Sequence, residues 1–289
     1  MVAYHRPGTL EEALVIRAER SVTVLAGGTD VYPAKAARAG WGDTRHADIL
    51  DITAVPGLRG IAEEAGAWRI GALTTWSDVV RAELPPQFDG LKLAAREIGG
   101  AQIQNRGTLA GNICTASPAG DGAPNLLALD ASVELASRGG RRVVPMPDFI
   151  DGYRHTQCRP DEIVTAILVP KRGSATRGHF LKLGARRYLV ISIVMVAGVI
   201  ESDDGNRIAR VRLAIGSCSA TPQRLPTLEA ALIAQPSLTA AELVAPSHFD
   251  GLAPIDDIRG SAAYRREAAL ALTRDLLREL AGRERRRAA

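Results

Sequence analysis

Metal-binding and covalent chemistry are poorly provided for in this chain. Of its 289 residues only three are cysteines, Cys114, Cys158 and Cys218, far apart and without a C-x-x-C pair. That spacing argues against a zinc or iron–sulfur site held by the chain itself. Cys158 and Cys218 read as small buried hydrophobes. The five histidines, His5, His46, His155, His179 and His248, are scattered, and no Ser/His/Asp set or carboxylate pair stands out. Long apolar runs are missing too. The most hydrophobic, Val190 to Ile200, is eleven residues, too short to span a bilayer, and Met1 to Leu14 has no continuous apolar segment of secretory type. A cytoplasmic protein without membrane contact is the expectation. Aromatic residues make up 4% of the chain, and none is interleaved with Arg283, Arg285, Arg286 and Arg287, which hold much of the +4 net charge. That tail reads as a solvated helix end and not as a nucleic-acid patch.

Small residues are abundant instead. The run Ala101 to Asp121 places Gln102, Gln104, Asn105 and Arg106 ahead of Gly107, Thr108, Ala110, Gly111 and Asn112, and ends in the small, polar stretch Ser117 to Asp121. Gly107 and Gly111 can take φ > 0, and a backbone without bulky Cβ atoms can aim successive N–H groups at one anion. By itself the run is either an ordinary loop or a phosphate cradle. A second element favours the cradle: Val22 to Ala26 reads as a strand that stops at Gly27-Gly28, followed by Thr29, Asp30 and Val31. Two glycine-marked bends beside apolar strands could hold the two ends of one long dinucleotide. Cys114, two residues after Asn112, lies within reach of such a ligand.

At 46% hydrophobic the chain can bury a core and divide into two domains. Thr9 to Glu12 has capping-box spacing, and Leu10, Ala13, Leu14 and Ala18 recur at helical period. Tyr32 to Ala39 reads as a helix ended by Gly40, and Asp48 to Ile52 as a strand. Short strands follow at Gly60 to Ala62 and Trp68 to Ala72, then helices opened by Thr74-Thr75 and over Leu91 to Ile98, the latter stopped by Gly99-Gly100. Beyond the cradle come a helix (Asn125 to Leu129), a hairpin (Ser132 to Ala136 with Arg142 to Val144) and a strand (Glu162 to Val169). Lys171 to Ser174 is a charged, flexible linker candidate. After it, His179 to Gly184, Ile191 to Glu201 and Arg207 to Gly216 read as a meander with one polar and one apolar face, turning at Asp203 to Asn206. Helices at Thr227 to Ile233, Ala240 to Leu243 and Ser261 to Leu280 complete the chain, with Ala268, Leu272, Leu276 and Leu280 on one face. Helices over a small antiparallel sheet are the economical packing.

Four ordered motifs carry a resemblance: Leu25-Ala26-Gly27-Gly28-Thr29-Asp30, Ile70-Gly71-Ala72-Leu73-Thr74, Gln102 to Asn112, and Lys182-Leu183-Gly184-Ala185-Arg186-Arg187. From Tyr4 to the terminal helix the sequence resembles the FAD-binding medium subunit of the xanthine dehydrogenase and carbon monoxide dehydrogenase family of molybdenum hydroxylases. The resemblance implies an α+β fold. A two-lobed FAD-binding domain of vanillyl-alcohol-oxidase (PCMH) type would span residues 1–173, with lobes of about 1–58 and 59–173. A C-terminal α+β domain of antiparallel sheet plus helices would span 174–289. It also implies site roles. Leu25, Ala26, Gly27, Gly28, Thr29, Asp30 and Val31 would line the pyrophosphate. Thr108, Gly111 and Asn112 would form a second clamp, with Gly107 and Cys114 in contact and Asp121 accepting from ribose or ribityl hydroxyls. Ile163 and Val164 would pack beside the adenine, and Lys182 would lie near the flavin ring; by its residue pattern alone Lys182 reads as an exposed strand lysine.

In such a family the chain carries electrons without oxidising the substrate. The resemblance implies a small subunit with 2Fe-2S clusters as donor, a large subunit with molybdopterin-bound molybdenum as the site of substrate oxidation, and NAD as a usual acceptor, in a dimer of heterotrimers. Two departures matter. Ala110 replaces a common glycine, and Val190 stands where an acidic residue often follows the Arg186-Arg187 pair, which leaves the acceptor open. The substrate, chosen at molybdenum, is open as well. The rival readings are a stand-alone flavin oxidase or reductase of the same fold and a nucleotide-binding scaffold without redox turnover.

Overall fold

The computed structural model describes residues 3–40 and 47–288; His46, and the side chains of the tail arginines from Arg283 on, lie outside them. The first lobe opens with β1 (Tyr4–His5), α1 (Leu10–Glu19), β2 (Val22–Leu25), α2 (Val31–Gly40) and β3 (Asp48–Asp51). Thr9 caps α1 by accepting the Glu12 amide, while the Glu12 carboxylate takes the Gly8 amide at 2.9 Å and not that of Thr9, so the box closes one residue early. The strands form a parallel sheet in the order β1-β3-β2. Apolar positions of α1 and β2 meet under it: Ala13, Leu14 and Val22 pack with Leu50 and Ile52, and Leu73, Ala136 and Ile163 reach in from the second lobe.

That lobe comprises β4 (Ile61–Glu63), β5 (Ala67–Gly71), α3 (Trp76–Arg81), α4 (Asp89–Glu97), α5 (Ala101–Gln104), α6 (Leu109–Thr115), α7 (Gly122–Ala128), β6 (Ser132–Ser137), β7 (Gly140–Pro145), α8 (Met146–Phe149), β8 (Ile150–Gly152), β9 (His155–Thr156) and β10 (Ile163–Pro170). Its main sheet is antiparallel, ordered β4-β5-β10-β6-β7. Thr75 and Asp78 cap α3 reciprocally. The small-residue run read as a loop is largely helical: Leu109, Ala110 and Ile113 of α6 present a buried face, and Thr108 caps it.

The C-terminal part contains β11 (Thr176–Leu183), β12 (Val194–Ser202), β13 (Ile208–Gly216), β14 (Gln223–Arg224), α9 (Pro226–Leu232) and α10 (Ala262–Ala288). An antiparallel sheet runs β11-β12-β13-β14. The polar face expected of this meander is missing from its central strand β12. Met195, Ala197 and Val199 join the core built on α4 and α7, whereas Val194, Val196 and Ile200 join Leu276 and Leu280 of α10. The strand is a middle layer, and its unbroken apolar sequence is what such a layer needs. Close approach secures it: a Cβ on Gly178 of β11 would lie 2.3 Å from the Gln87 carbonyl oxygen, and one on Gly90 of α4 would lie 2.8 Å from that of His179.

The linker is pinned rather than flexible. Lys171 pairs with Glu63 at 2.7 Å and Arg172 with Asp130 at 2.7 Å. Asp130 also takes Arg212 of β13 and Arg224 of β14, so one carboxylate ties both parts of the chain.

Across the main sheet of the second lobe, Glu134 accepts both Arg69 nitrogens (2.7 and 2.9 Å), Arg141 (2.7 Å) and the Thr165 hydroxyl. The paired Arg69 guanidinium holds its carboxyl down to about 2. Its contribution to stability is complete above the unfolded-state value of about 4.3 and is lost as pH falls towards the folded value. The urea midpoint of the native chain should therefore fall more steeply from pH 5 to pH 2 than that of Glu134→Gln; equal slopes would contradict the assignment.

Candidate functional site

Between the two lobes lies a crevice of about 700 Å³, and its shape follows from one contact. A Cβ on Gly27 would lie 2.0 Å from the Arg106 carbonyl oxygen and 3.0 Å from the Gly107 Cα. The β2–α2 bend and the α5–α6 bend therefore touch backbone to backbone, and only glycine fits there. Gly28 turns the chain at φ +75, whereas Gly107 and Gly111, expected to be free for φ > 0, are not in that region. Gly111 is held within α6, and Gly107 is packed between Thr29 and Trp76.

The bends differ in what they offer. On the first, the amides of Gly27, Gly28, Thr29 and Asp30 donate to no group among the described residues, as befits the approach to a helix N-terminus. On the second, most amides are spent: Leu109 donates to the Thr74 carbonyl, Gly111 to the Thr108 hydroxyl at 2.9 Å, and Asn112 to the Thr108 carbonyl. A cradle of successive amides thus exists on one side only. The other side presents side chains. Asn112 accepts the Gly122 amide through Oδ1 at 3.1 Å, which leaves its Nδ2 as donor beside the crevice. The first bend, placed at the head of the ten-residue α2, suits an anion.

The residues singled out in the sequence distribute as follows. Ala26 to Val31, Gly107, Thr108, Gly111, Asn112, Cys114, Ile163 and Val164 all line the crevice. Leu25 is buried with its side chain in the protein. Asp121 and Lys182 do not line the crevice. Lys182 is not the exposed strand lysine its pattern suggested: its side chain is 4% exposed and bonds Asp121 at 2.7 Å. The second Asp121 oxygen accepts the Ser192 hydroxyl at 2.6 Å. Burial pushes the Asp121 carboxyl up, against the pull of Lys182, and the two close hydrogen bonds are what an ionised carboxylate needs.

Several lining residues carried no sequence signal. Arg17 ties α1 to both neighbours, donating to the Val22 carbonyl at 2.7 Å and the Glu162 carbonyl at 3.2 Å. Trp76, on the helix opened by Thr74-Thr75, also lines the crevice, and a Cβ on Gly122 would lie 2.9 Å from its ring. Ile191 reaches the crevice from the C-terminal part. Cys114 opens on the crevice, but its protein surroundings push the thiol up to about 12, and burial pushes Cys158 to about 11, so neither is a thiolate near neutrality. Of the histidines, His5, His155, His179 and His248 are not among the lining residues. Among the described residues no group of three or more His, Cys, Asp or Glu side chains could hold a metal ion, and no helix is long and apolar enough to cross a membrane.

Comparison with known proteins agrees over nearly the whole chain. Residues 1–172 match the model of the FAD binding domain in molybdopterin dehydrogenase, and residues 179–280 that of the carbon monoxide dehydrogenase flavoprotein C-terminal domain. The chain is 32% identical over 283 residues to the xanthine dehydrogenase FAD-binding subunit of Escherichia coli O157:H7, covering 96% of this chain and 95% of that one. It is 31% identical to the nicotine 6-hydroxylase medium subunit of Paenarthrobacter nicotinovorans, covering 91% and 92%. Among solved structures, carbon monoxide dehydrogenase from Hydrogenophaga pseudoflava superposes with a TM-score of 0.86 at 27% identity, covering 96% of each chain.

The Asp121–Lys182 pair yields a prediction independent of any ligand. Asp121→Asn or Lys182→Met alone leaves one buried charge unmatched and should cost about 3–5 kcal/mol. The double variant should cost clearly less than the sum, as read from urea unfolding midpoints; additive costs would show that the two do not interact.

Proposed function

Because this chain belongs to the FAD-binding medium subunits of the molybdenum hydroxylases, an oxidoreductase family, we propose that its flavin sits in the crevice and that the chain relays electrons between partner subunits and a final acceptor. In this reading a small subunit with 2Fe-2S clusters supplies the electrons, and a large subunit with molybdopterin-bound molybdenum oxidises the substrate. NAD or another acceptor takes the electrons away, within a cytoplasmic dimer of heterotrimers. The observation that carries the reading is the row of unbonded amides from Gly27 to Asp30 on the same crevice that Asn112 lines. A diphosphate needs such donors and no bulky Cβ beside them.

Bound FAD supplies the redox chemistry, taking up electrons singly and releasing them as a pair. The chain supplies the setting. The amides of Gly27 to Asp30 and the N-terminus of α2 hold the pyrophosphate, with Ala26 and Val31 completing that wall and Leu25 packed in the protein behind it. Thr108 and Asn112 add side-chain donors opposite, Gly111 keeps the space open, and Gly107 and Cys114 are in contact. Ile163 and Val164, apolar and at the crevice edge of β10, pack beside the adenine. Asp121 bonds Lys182 at 2.7 Å outside the crevice lining, so neither touches the ligand directly. The flavin domain spans 1–173 and the C-terminal domain 174–289; the irregular stretch between β10 and β11 supports that boundary.

Purified full-length protein should be yellow, bleached by dithionite and stoichiometric in FAD. Gly111→Leu should lower FAD affinity at least about tenfold, some 1.4 kcal/mol, with far-UV circular dichroism unchanged. Full flavin occupancy in that variant would refute the clamp.

A further inference from the structure

Four charged residues line the crevice: Arg17, Asp30, Arg154 and Glu162. Three of them have a charged partner of their own. Asp30 lies 3.8 Å from Arg154, and the two Glu162 oxygens take Arg142 at 2.6 and 2.8 Å, with the Arg159 amide at 2.7 Å besides. Arg17 is different: among the described residues no carboxylate oxygen lies within 4 Å of its guanidinium. Its Nε and Nη1 donate to the Glu162 and Val22 carbonyls, which fixes the guanidinium plane and leaves three of its five N–H groups for a ligand. Val22 and Ile163, at and next to those carbonyls, line the crevice with it, and its charge reaches the thiols of Cys114 and Cys158. A half-buried cation on so apolar a wall is poorly met by the protein; an aromatic face or a ring nitrogen would meet it.

Its place along the crevice decides what Arg17 meets. Four peptide units separate the Val22 carbonyl from the Gly27 amide, roughly 13 Å of extended chain, so a phosphate on the open amides of the first bend cannot touch Arg17 as well. The far end of the molecule that carries the phosphate can. We propose that Arg17 binds the adenine ring of the flavin dinucleotide, supplying the fixed cation and free N–H donors that the ring's π face and nitrogen acceptors take up. The inference rests on the flavin reading given above and adds a binding residue on α1 to it. With Arg17 in that role the adenosine arm, and not the diphosphate alone, is a source of affinity, and the crevice favours the dinucleotide over FMN.

Calorimetric titration of the flavin-free full chain with FAD and with FMN tests this. Arg17→Met should bind FAD at least about tenfold more weakly, and Arg17→Lys, which keeps the charge without the planar fork, should fall between it and the native chain. FMN lacks the adenosine arm and should show no difference between native chain and variants, whether its binding is measurable or not. Unchanged FAD affinity in Arg17→Met would overturn the proposal. Equal fractional losses of FAD and FMN would overturn it too, as the mark of a residue that only ties α1 to its neighbours. Far-UV circular dichroism checks the fold of each variant; if Arg17→Met does not fold, Arg17→Lys carries the comparison, and an FAD affinity equal to the native one then decides against the contact. A native chain that takes up no FAD sinks the flavin reading; one that binds FAD no better than its Arg17 variants sinks this inference alone.

Discussion

A carbonyl oxygen occupies the place of a side chain at Gly27, and the rest of the site follows. With the Arg106 oxygen 2.0 Å from where a Cβ would stand, the two bends are held against each other and the lobes enclose one crevice instead of two separate grooves. The contact also sets the division of labour. The first bend reaches the crevice at a helix head with its amides open, while the second has most of its amides spent on Thr74 and Thr108 and contributes side chains. An asymmetric site of this kind can hold a diphosphate from one side and steer its two arms from the other.

The C-terminal part serves the same end. β12 is a middle layer, gripped by α4 and α7 on one face and α10 on the other, and the paired β11, which carries Lys182, is held with it. Burying the Asp121–Lys182 pair contributes little net stability by itself. The pair ties the N-terminal end of α7 to β11. The Asp130 cluster, with Arg172, Arg212 and Arg224, reinforces that joint.

The sequence was informative where local chemistry decides. Thr9 and Thr75 announced their helices, Asp203 to Asn206 the turn, and the two glycine bends the crevice. It was silent where distant partners decide. Nothing near Lys182 names Asp121, and without a partner a strand lysine looks solvated. Nothing near Gly27 names Arg106, so its glycine suggested room for a ligand when the nearer occupant is protein. Val194 to Ile200 did carry a signal, an unbroken apolar run without alternation, which suits burial on both faces and not the one polar and one apolar face expected of it. The run 101–121 misled in the other direction, since its small residues suggested a loop although Leu109, Ala110 and Ile113 share a buried helical face. The family motifs supplied what composition could not, the identity of the ligand.

The central claim is that one diphosphate is held by the open amides of the first bend across from Asn112. A crystal structure of the chain purified with its own flavin tests it most directly. The account predicts pyrophosphate oxygens within about 3.2 Å of amide nitrogens between Gly27 and Asp30, with the Asn112 amide on the opposite side. A flavin whose pyrophosphate lies elsewhere, with those amides bonded only to water, would contradict it.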